Sequence, residues 1–308
     1  MGHEPDSPSE KVLRERLALA PAEGTPMGCY LHVPFCTVRC GYCDFNTYVA
    51  KHIGPNAEGD FLTAAHREID LAANASAGSA QPLATVFFGG GTPTLMSPVQ
   101  LGELLAHLSD SFGLAPGAEI TTEANPETLG EPELAGLRAA GINRLSLGMQ
   151  SASPAVLATL DRQHTPGRAL QVVRQAHAAG FEQVSLDLIY GTPGESLADW
   201  RGSLEAAVGA SPQHISAYAL VIEPGTAMGR RLASGQIARP DADLQADMYL
   251  LAEEVLTAAG FHNYEVSNWA DAPTHRARHN LGYWAGHDWW GIGPGAHSHI
   301  QGIRWWNV

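Results

Sequence analysis

Short apolar runs alternate with longer amphipathic stretches along most of this 308-residue chain, and this alternation is the feature that most constrains its fold. The pattern predicts strand–helix units around a parallel sheet. The predicted strands are Cys29 to Val33, Leu83 to Phe88, Glu119 to Glu123, Arg144 to Met149, Gln183 to Tyr190 and His214 to Leu220. The predicted helices cover 58–73, 98–111, 131–140, 166–179 and 196–209. Six units are too few to close an eight-unit barrel, so we expect an α/β fold with a partial, open β/α barrel of about six units.

Three regions are predicted along the chain. Residues 1–26 carry acids where a signal peptide needs bases, and we interpret them as a mobile N-terminal extension. Residues 27–225 form the predicted barrel. Residues 226–308 contain a predicted helix near 241–259 and then a region rich in aromatic, His and Gly residues, since six of the seven tryptophans follow Asn268. The last residues, Ile303 to Val308, have the pattern of a strand.

The composition limits the partners and the compartment. A formal net charge of −14 disfavours a nucleic-acid backbone or an anionic membrane as the main partner. The sequence shows no membrane-spanning segment, and its few cysteines are clustered. Both features favour the reducing cytoplasm as the compartment.

Three of the four cysteines, Cys36, Cys40 and Cys43, follow the first predicted strand with CxxxCxxC spacing. Three thiolates on one loop can hold a 4Fe-4S cluster and leave its fourth iron open to a small molecule. A disulfide is disfavoured because nothing marks the chain as secreted. A zinc site with His32 or Cys29 as the fourth ligand stays open at this stage. Cys29 alternates with Leu31 and Val33, which favours a core thiol.

Polar residues stand near the carboxyl ends of successive predicted strands: Glu123, Gln150 and Asp187. Ligands bind at that end of β/α barrels. A lone acid there is usually a turn former or helix cap, but several on successive units favour a shared site. The glycine run at 89–91, followed by Thr92, allows a ligand to approach the backbone, although a tight turn explains it equally well. It lacks both GxGxxG spacing and the lysine of a P-loop.

The cysteine spacing, with the flanking words LHVPFC and YCDFN, resembles the radical S-adenosylmethionine (SAM) superfamily. The flanking residues narrow the resemblance to the oxygen-independent coproporphyrinogen III oxidase group and its HemW haem-chaperone branch. The resemblance implies that SAM chelates the open iron and that the GGGTPT loop holds its amino and carboxylate groups. It implies that SAM is contacted by Tyr30, Tyr42, Gly90, Gly91, Thr92, Glu123, Gln150, Arg162 and Asp187. For Arg162, a surface ion pair with Asp161 or Glu195 is the alternative.

The segment His279-Asn280-Leu281-Gly282-Tyr283-Trp284 matches an HNxxYW motif that resembles the haem-binding signature of the HemW branch. The resemblance implies haem contacts at His279, Tyr283 and Trp284, because an imidazole can ligate iron and aromatic rings can cover the macrocycle. Other candidate ligands are His287, His297 and His299. A hydrogen-bonded core histidine is the competing interpretation of His279.

One position separates the two activities of the resembled group. The oxidases carry a further cysteine two residues after the third cluster ligand, and this chain has Phe45 there. We therefore predict a haem chaperone that transfers haem to acceptor apoproteins, with an oxidase of coproporphyrinogen III as the alternative. An electron donor is required only if SAM is cleaved. A homodimer is compatible with this interpretation. The sequence does not allow any catalytic residue to be named. Family members usually continue into a C-terminal helical domain, so we expect the region 226–308 to be truncated relative to them.

Overall fold

The computed structural model describes residues 25–49, 52, 54, 56–76, 81–162 and 165–308. The predicted N-terminal extension lies outside this set except for residues 25 and 26. The strands are β1 (Met27–Val33), β2 (Phe35–Cys36), β3 (Tyr48–Val49), β4 (Leu83–Gly90), β5 (Leu114–Ala124), β6 (Arg144–Gln150), β7 (Gln183–Tyr190), β8 (His214–Ala219), β9 (His262–Glu265), β10 (Asn268–Ala270), β11 (Asp288–Ile292), β12 (His297–Ile300) and β13 (Ile303–Trp306). The α-helices are α1 (Ala57–Ala75), α2 (Pro98–Phe112), α3 (Glu131–Ala139), α4 (Pro154–Thr159), α5 (Arg168–Ala178), α6 (Leu197–Gly209), α7 (Ala227–Ala233), α8 (Ala242–Ala258) and α9 (Arg278–Ala285). Short 3-10 turns cover Pro93–Leu95, Pro126–Thr128 and Pro273–His275.

The six predicted strands form the centre of one large sheet, in the order β1-β4-β5-β6-β7-β8, and all are parallel. Helices lie between successive strands in sequence, as the alternation predicts. The predicted α/β open barrel is therefore confirmed. A strand that was not predicted, β11, adds a further parallel neighbour to β1. Antiparallel strands extend both edges, β12 and β13 beside β11, and β10 and β9 beside β8.

Side-chain alternation along β6 shows how the sequence separates the core from the barrel interior. Leu145, Leu147 and Met149 are buried in the apolar core. The residues between them line the interior cavity: Arg144, Ser146, Gly148 and Gln150. Successive side chains of a strand point to opposite faces of the sheet, so one polar and one apolar series arise from a single run. The neighbouring parallel strands follow the same rule.

Helix α2 illustrates how the outer layer is specified. Ser97 accepts a hydrogen bond from the Gln100 backbone N–H, and the Gln100 side chain accepts one from the Ser97 N–H, which forms a capping box. The buried leucines Leu101, Leu104 and Leu108 recur at helical spacing and pack against the sheet. In the part of the chain that the structure describes, no helix has the length and apolarity needed to cross a membrane.

Helix α9 carries the HNxxYW motif and lies at the amino-terminal end of the parallel strands. The Glu119 carboxylate of β5 accepts hydrogen bonds from the backbone N–H groups of Arg278 (3.0 Å) and His279 (2.9 Å). A carboxylate at a helix N-terminus satisfies free N–H groups and favours the helix dipole. The region beyond residue 225 therefore contacts the barrel closely, while the domain boundary proposed there stays a prediction.

Candidate functional site

A cavity of about 840 Å³ occupies the barrel interior. Its lining includes every residue that the sequence assigned to the cluster or to SAM, together with His279 and Tyr283 of the aromatic motif. The first group is Cys36, Cys40, Cys43, Tyr30, Tyr42, Gly90, Gly91, Thr92, Glu123, Gln150, Arg162 and Asp187. The structure thus brings together residues that are more than 100 positions apart in the chain. The predicted haem residue Trp284 is outside this lining.

The cysteine loop is fixed at its ends and at its middle. Cys36 ends β2, which pairs in parallel with β3 beyond the loop. The Gly41 N–H donates to the Leu160 carbonyl at 3.2 Å, and the Gly41 carbonyl accepts from the Met228 N–H at 2.7 Å. These bonds hold the loop against the barrel rim, so its thiols face the cavity.

The surroundings of the thiols differ, because a cation lies beside Cys40 whereas burial favours the protonated thiol at Cys36. Arg162 Nη1 donates to Cys40 Sγ at 3.1 Å. Burial raises the pKa of Cys36, and the nearby Cys43 and Cys40 raise it further, while hydrogen bonds from Thr92 and Thr47 oppose this shift. Asp161, a proposed partner of Arg162 on the surface, forms an ion pair with Arg231 at 2.8 Å. Arg162 therefore reaches the cysteine loop.

The glycine loop passes close to the cysteine loop. The Gly91 N–H donates to the Val33 carbonyl (2.8 Å), and the Thr92 N–H donates to the Phe35 carbonyl (2.7 Å). A Cβ atom on Gly91 would lie 2.4 Å from the Phe35 oxygen and 3.0 Å from Cys36 Sγ. Only glycine allows the two loops to lie this close together. The space left by the missing side chain is next to the Cys36 thiol.

Comparison with known proteins decides the family. The sequence model of the Radical SAM superfamily matches residues 30–207. A protein of Mycobacterium tuberculosis named "Heme chaperone HemW" is 54% identical over 94% of this chain and 74% of its own length. The chain belongs to the radical SAM superfamily and, within it, to the HemW family.

Other relatives agree with this family. The Escherichia coli protein named "Heme chaperone HemW" is 38% identical over 89% of this chain and 70% of its own length. The solved structure of coproporphyrinogen III oxidase (HemN) from Escherichia coli, described as a radical SAM enzyme, is similar with a TM-score of 0.80 at 25% identity. That similarity covers 94% of this chain and 68% of the HemN chain. The HemW family thus shares the HemN architecture.

Both proposed fourth ligands of a zinc site are engaged elsewhere in this HemW-family chain. Cys29 is fully buried in the apolar core. His32 Nε2 donates to the Asn46 carbonyl (2.9 Å), which leaves Nδ1 to accept from the Tyr30 hydroxyl (2.9 Å). Among the described residues, no three His, Cys, Asp or Glu side chains converge on a position for one metal ion. Cluster ligands do not need to converge in this way, because each thiolate binds a different iron of the cube. The donor set therefore fits a cluster.

Two neighbouring acids line the cavity: Glu123, predicted to contact polar groups of SAM, and Asp187, predicted to lie on its carboxylate and ribose side. Burial raises the pKa of Glu123 to about 7, the neighbouring Asp187 adds to the rise, and the Gly90 N–H, which donates to Glu123 Oε2 at 3.0 Å, opposes it. Burial also raises the pKa of Asp187, although the Ser146 hydroxyl donates to its carboxylate at 2.8 Å. Both acids thus hold their protons more tightly than in water.

Replacing Glu123 with glutamine is expected to flatten the pH dependence of stability in the ligand-free protein. The folded pKa of about 7 exceeds the ordinary value of 4.5, so the unfolded chain releases this proton at lower pH than the folded chain does. Stability from this group is therefore complete below about pH 4.5 and falls as pH rises through 7, by about 1–3 kcal/mol. Urea unfolding at pH 5.5 and pH 8 measures the change, and an equal slope in parent and variant would contradict the assignment. Glutamine keeps an oxygen to accept from Gly90.

The His279 side chain is buried and has two hydrogen-bond partners. Nδ1 lies 2.8 Å from the Thr85 hydroxyl, and Nε2 lies 2.8 Å from the Tyr283 hydroxyl. The ring stacks on Phe87 with centroids 5.2 Å apart. Burial lowers its pKa to about 3, so the ring is neutral at physiological pH. Trp284 is 61% exposed on the opposite side of α9.

The structure also places residues in the cavity that the sequence did not single out. They are mainly polar and line its deeper part: Thr121, Arg144, Ser146, Ser185, His214, Ser216 and Asn280. A signal for several of them was present, because polar residues recur at alternate positions of β6 and β7 within apolar runs. Glu119, which holds the start of α9, had no such signal, since its partner is about 160 residues away in the sequence.

Proposed function

We propose that this chain is a cytoplasmic haem chaperone, which binds SAM at a 4Fe-4S cluster, binds haem, and transfers haem to acceptor apoproteins. The observation that carries the proposal is the position of α9. His279 and Tyr283 form part of the wall of the cavity onto which the cysteine loop faces, while Trp284 of the same helix is exposed outside. One short helix therefore joins the SAM cavity to an aromatic outer surface. The names of the relatives at 54% and 38% identity support the same function.

The chain's own residues divide the work of holding the cluster and SAM. Cys36, Cys40 and Cys43 would ligate three irons, and Arg162, through its hydrogen bond to Cys40, would stabilise negative charge on that thiolate. The backbone at Gly90 and Gly91 leaves room for SAM beside the first thiol. Glu123 and Asp187 would accept hydrogen bonds from its amino and ribose groups. When bound, the cluster supplies a redox centre that can pass an electron to the SAM sulfonium.

The haem site is proposed at the outer face of α9. Beside it lies a second, mainly apolar cavity of about 260 Å³, lined by residues that include His279, Tyr283, His287 and Trp289. Ligation of haem iron by His279 Nε2 requires Tyr283 to release its hydrogen bond at that nitrogen. The His287 ring is half-buried at the cavity edge, and no hydrogen bond to it is found within the described residues. His287 is therefore the second candidate ligand.

Haem titration of three variants tests this site. If His279 is the ligand, Tyr283→Phe is expected to bind haem about tenfold more tightly, because the competing hydrogen bond contributes about 1 kcal/mol or more. His279→Ala should lose the axial-ligand signature in the absorption spectrum, and His287→Ala should retain it. Loss of the signature in His287→Ala alone would assign the ligand to His287. Equal haem affinity and spectra in all three variants would place haem elsewhere and contradict the proposed site.

An oxidase acting on coproporphyrinogen III is the second candidate, because the architecture is similar to HemN with a TM-score of 0.80. Phe45 argues against it, since the exposed ring, at 56% exposure, occupies the position of the oxidases' additional cysteine. Anaerobic assay of the cluster-loaded protein with SAM, a reductant and coproporphyrinogen separates the candidates. Sustained conversion to protoporphyrinogen would replace the chaperone proposal.

A further inference from the structure

The barrel cavity is lined by three residues that carry a buried polar atom without a hydrogen-bond partner among the described residues: Thr121, Arg144 and Asn280. Arg144 Nη2 and Thr121 Oγ1 have essentially no solvent exposure, and neither has a hydrogen-bond partner among the described residues. Arg144 begins β6, and Thr121 is its register partner on β5. Both line the cavity, as does the amide of Asn280 from α9. We call this place, formed by Thr121, Arg144 and Asn280, the lumen floor.

The rest of the Arg144 side chain is held firmly. Its Nη1 donates to Gln183 Oε1 (2.6 Å) and to the His275 carbonyl (2.9 Å). The residue is only 2% exposed, and Thr121 is 1% exposed. A buried polar group without a partner destabilises the folded protein, and more strongly when it is charged. Such a pair of donors on adjacent strands is therefore expected to serve a ligand.

The charges around the lumen floor limit a ligand to at most one negative charge. Arg144 interacts electrostatically with Glu119 and Asp187, and these two acids partly compensate its positive charge. Glu119 uses both oxygens to accept from the N-terminal N–H groups of α9. The neighbouring His214 is buried, and its pKa is lowered well below the ordinary value, so it adds no positive charge. A dianion would be repelled by the two acids, whereas a carboxylate accepts hydrogen bonds from both donors.

The lumen floor lies at the opposite end of β6 from Gln150, and Asp187, which is also predicted to contact SAM, lies between these ends, where it accepts a hydrogen bond from Ser146 at 2.8 Å. Gln150, predicted to contact SAM, lies six residues along β6 from Arg144. At a rise of about 3.3 Å per residue, the two positions are about 20 Å apart. SAM bound beside the cysteine loop therefore leaves the floor available.

We propose that the lumen floor binds the carboxylate of a small organic acid, which accepts hydrogen bonds from Arg144 Nη2 and Thr121 Oγ1. This site does not depend on haem binding or on the chaperone function. The ligand is a second small molecule that lies beneath SAM in the same cavity. Its recognition requires one carboxylate and excludes a neutral amide of the same shape.

Thermal unfolding of the full chain with sodium acetate, compared with acetamide and with sodium chloride at equal ionic strength, tests the site. Acetate is expected to raise Tm more than either control, and the rise should persist in the presence of saturating SAM. Thr121→Val keeps the shape but removes one donor, and should weaken the acetate affinity about ten- to hundredfold. Arg144→Lys, which cannot reproduce the planar fork, should weaken it as well.

The matched control for Thr121→Val is Thr85→Val on the neighbouring strand. Thr85 has a hydrogen bond to His279, so its loss should lower Tm, whereas Thr121→Val should leave Tm unchanged or raise it. An equal acetate response in Thr121→Val, or a response abolished by SAM, would overturn the proposal. A structure grown in acetate that shows only an ordered water at Arg144 would overturn it too.

Discussion

Replacing Cys40 with alanine is expected to abolish cluster binding, with iron and sulfide content falling to background after anaerobic reconstitution. A cube held by three thiolates loses one of its three protein bonds, and Arg162 loses the sulfur that accepts its hydrogen bond. SAM affinity should fall with it, because the open iron is the expected anchor. Metal analysis and electronic absorption measure the first effect, and equilibrium dialysis with SAM measures the second.

The matched control is Cys29→Ala, which removes the one cysteine outside the motif. Cys29 belongs to β1 and its side chain is buried in the core, so this variant should lose about 1 kcal/mol of stability and keep its iron and sulfide. Loss of the cluster from Cys29→Ala, or its retention in Cys40→Ala, would show that the ligand set is wrong. Zinc without iron in the reconstituted parent protein would also show that the cluster assignment is wrong.

Gly91→Ala is expected to damage the cluster site strongly. Its Cβ would lie 2.4 Å from a backbone oxygen, that of Phe35, which cannot rotate away as a flexible side chain does. Either the glycine loop or β2 must shift, and both border Cys36. We expect cluster occupancy and SAM affinity to fall at least tenfold, with a loss of stability of about 1–3 kcal/mol.

Gly202→Ala gives the comparison at a glycine with open surroundings. A Cβ at this position, in helix α6, would meet nothing within 4 Å. Alanine should stabilise the helix by about 1 kcal/mol and leave cluster binding unchanged. If Gly91→Ala loads iron and binds SAM as well as Gly202→Ala does, the close approach of the two loops has no role in the site.

The sequence predicted the central strands well because they are buried on both faces and bounded by turn residues. The bounds of β7 match the prediction at both ends, Gln183 and Tyr190. The helix predicted at 98–111 is observed as Pro98–Phe112, with a capping residue and a glycine marking its ends. These signals are local, so one sequence is sufficient to read them.

Features that depend on distant pairing were not predictable in the same way. Strand β11 contains Trp289, Trp290 and Gly291 and lies in the region noted only for its aromatic, His and Gly residues, yet it pairs with β1 at the other end of the chain. The hydrogen bonds of Glu119 to α9 and of His279 to Thr85 also connect remote segments. The candidate binding residues were identified in the sequence because their motifs resemble those of a known family. The alternative of a hydrogen-bonded core histidine at His279 agrees with the structure, but its partners, Thr85 and Tyr283, could not be identified from the sequence.

The pairing of β1 with β11 has a consequence for biosynthesis. Leu31 is opposite Ile292, so roughly 260 residues must leave the ribosome before the outer edge of β1 is covered. At the usual rates of translation this takes on the order of tens of seconds. During that time the strand that leads into the cysteine loop has an open edge, which favours aggregation. Iron delivery to the nascent chain is therefore expected to succeed only late, after this last parallel strand has been translated.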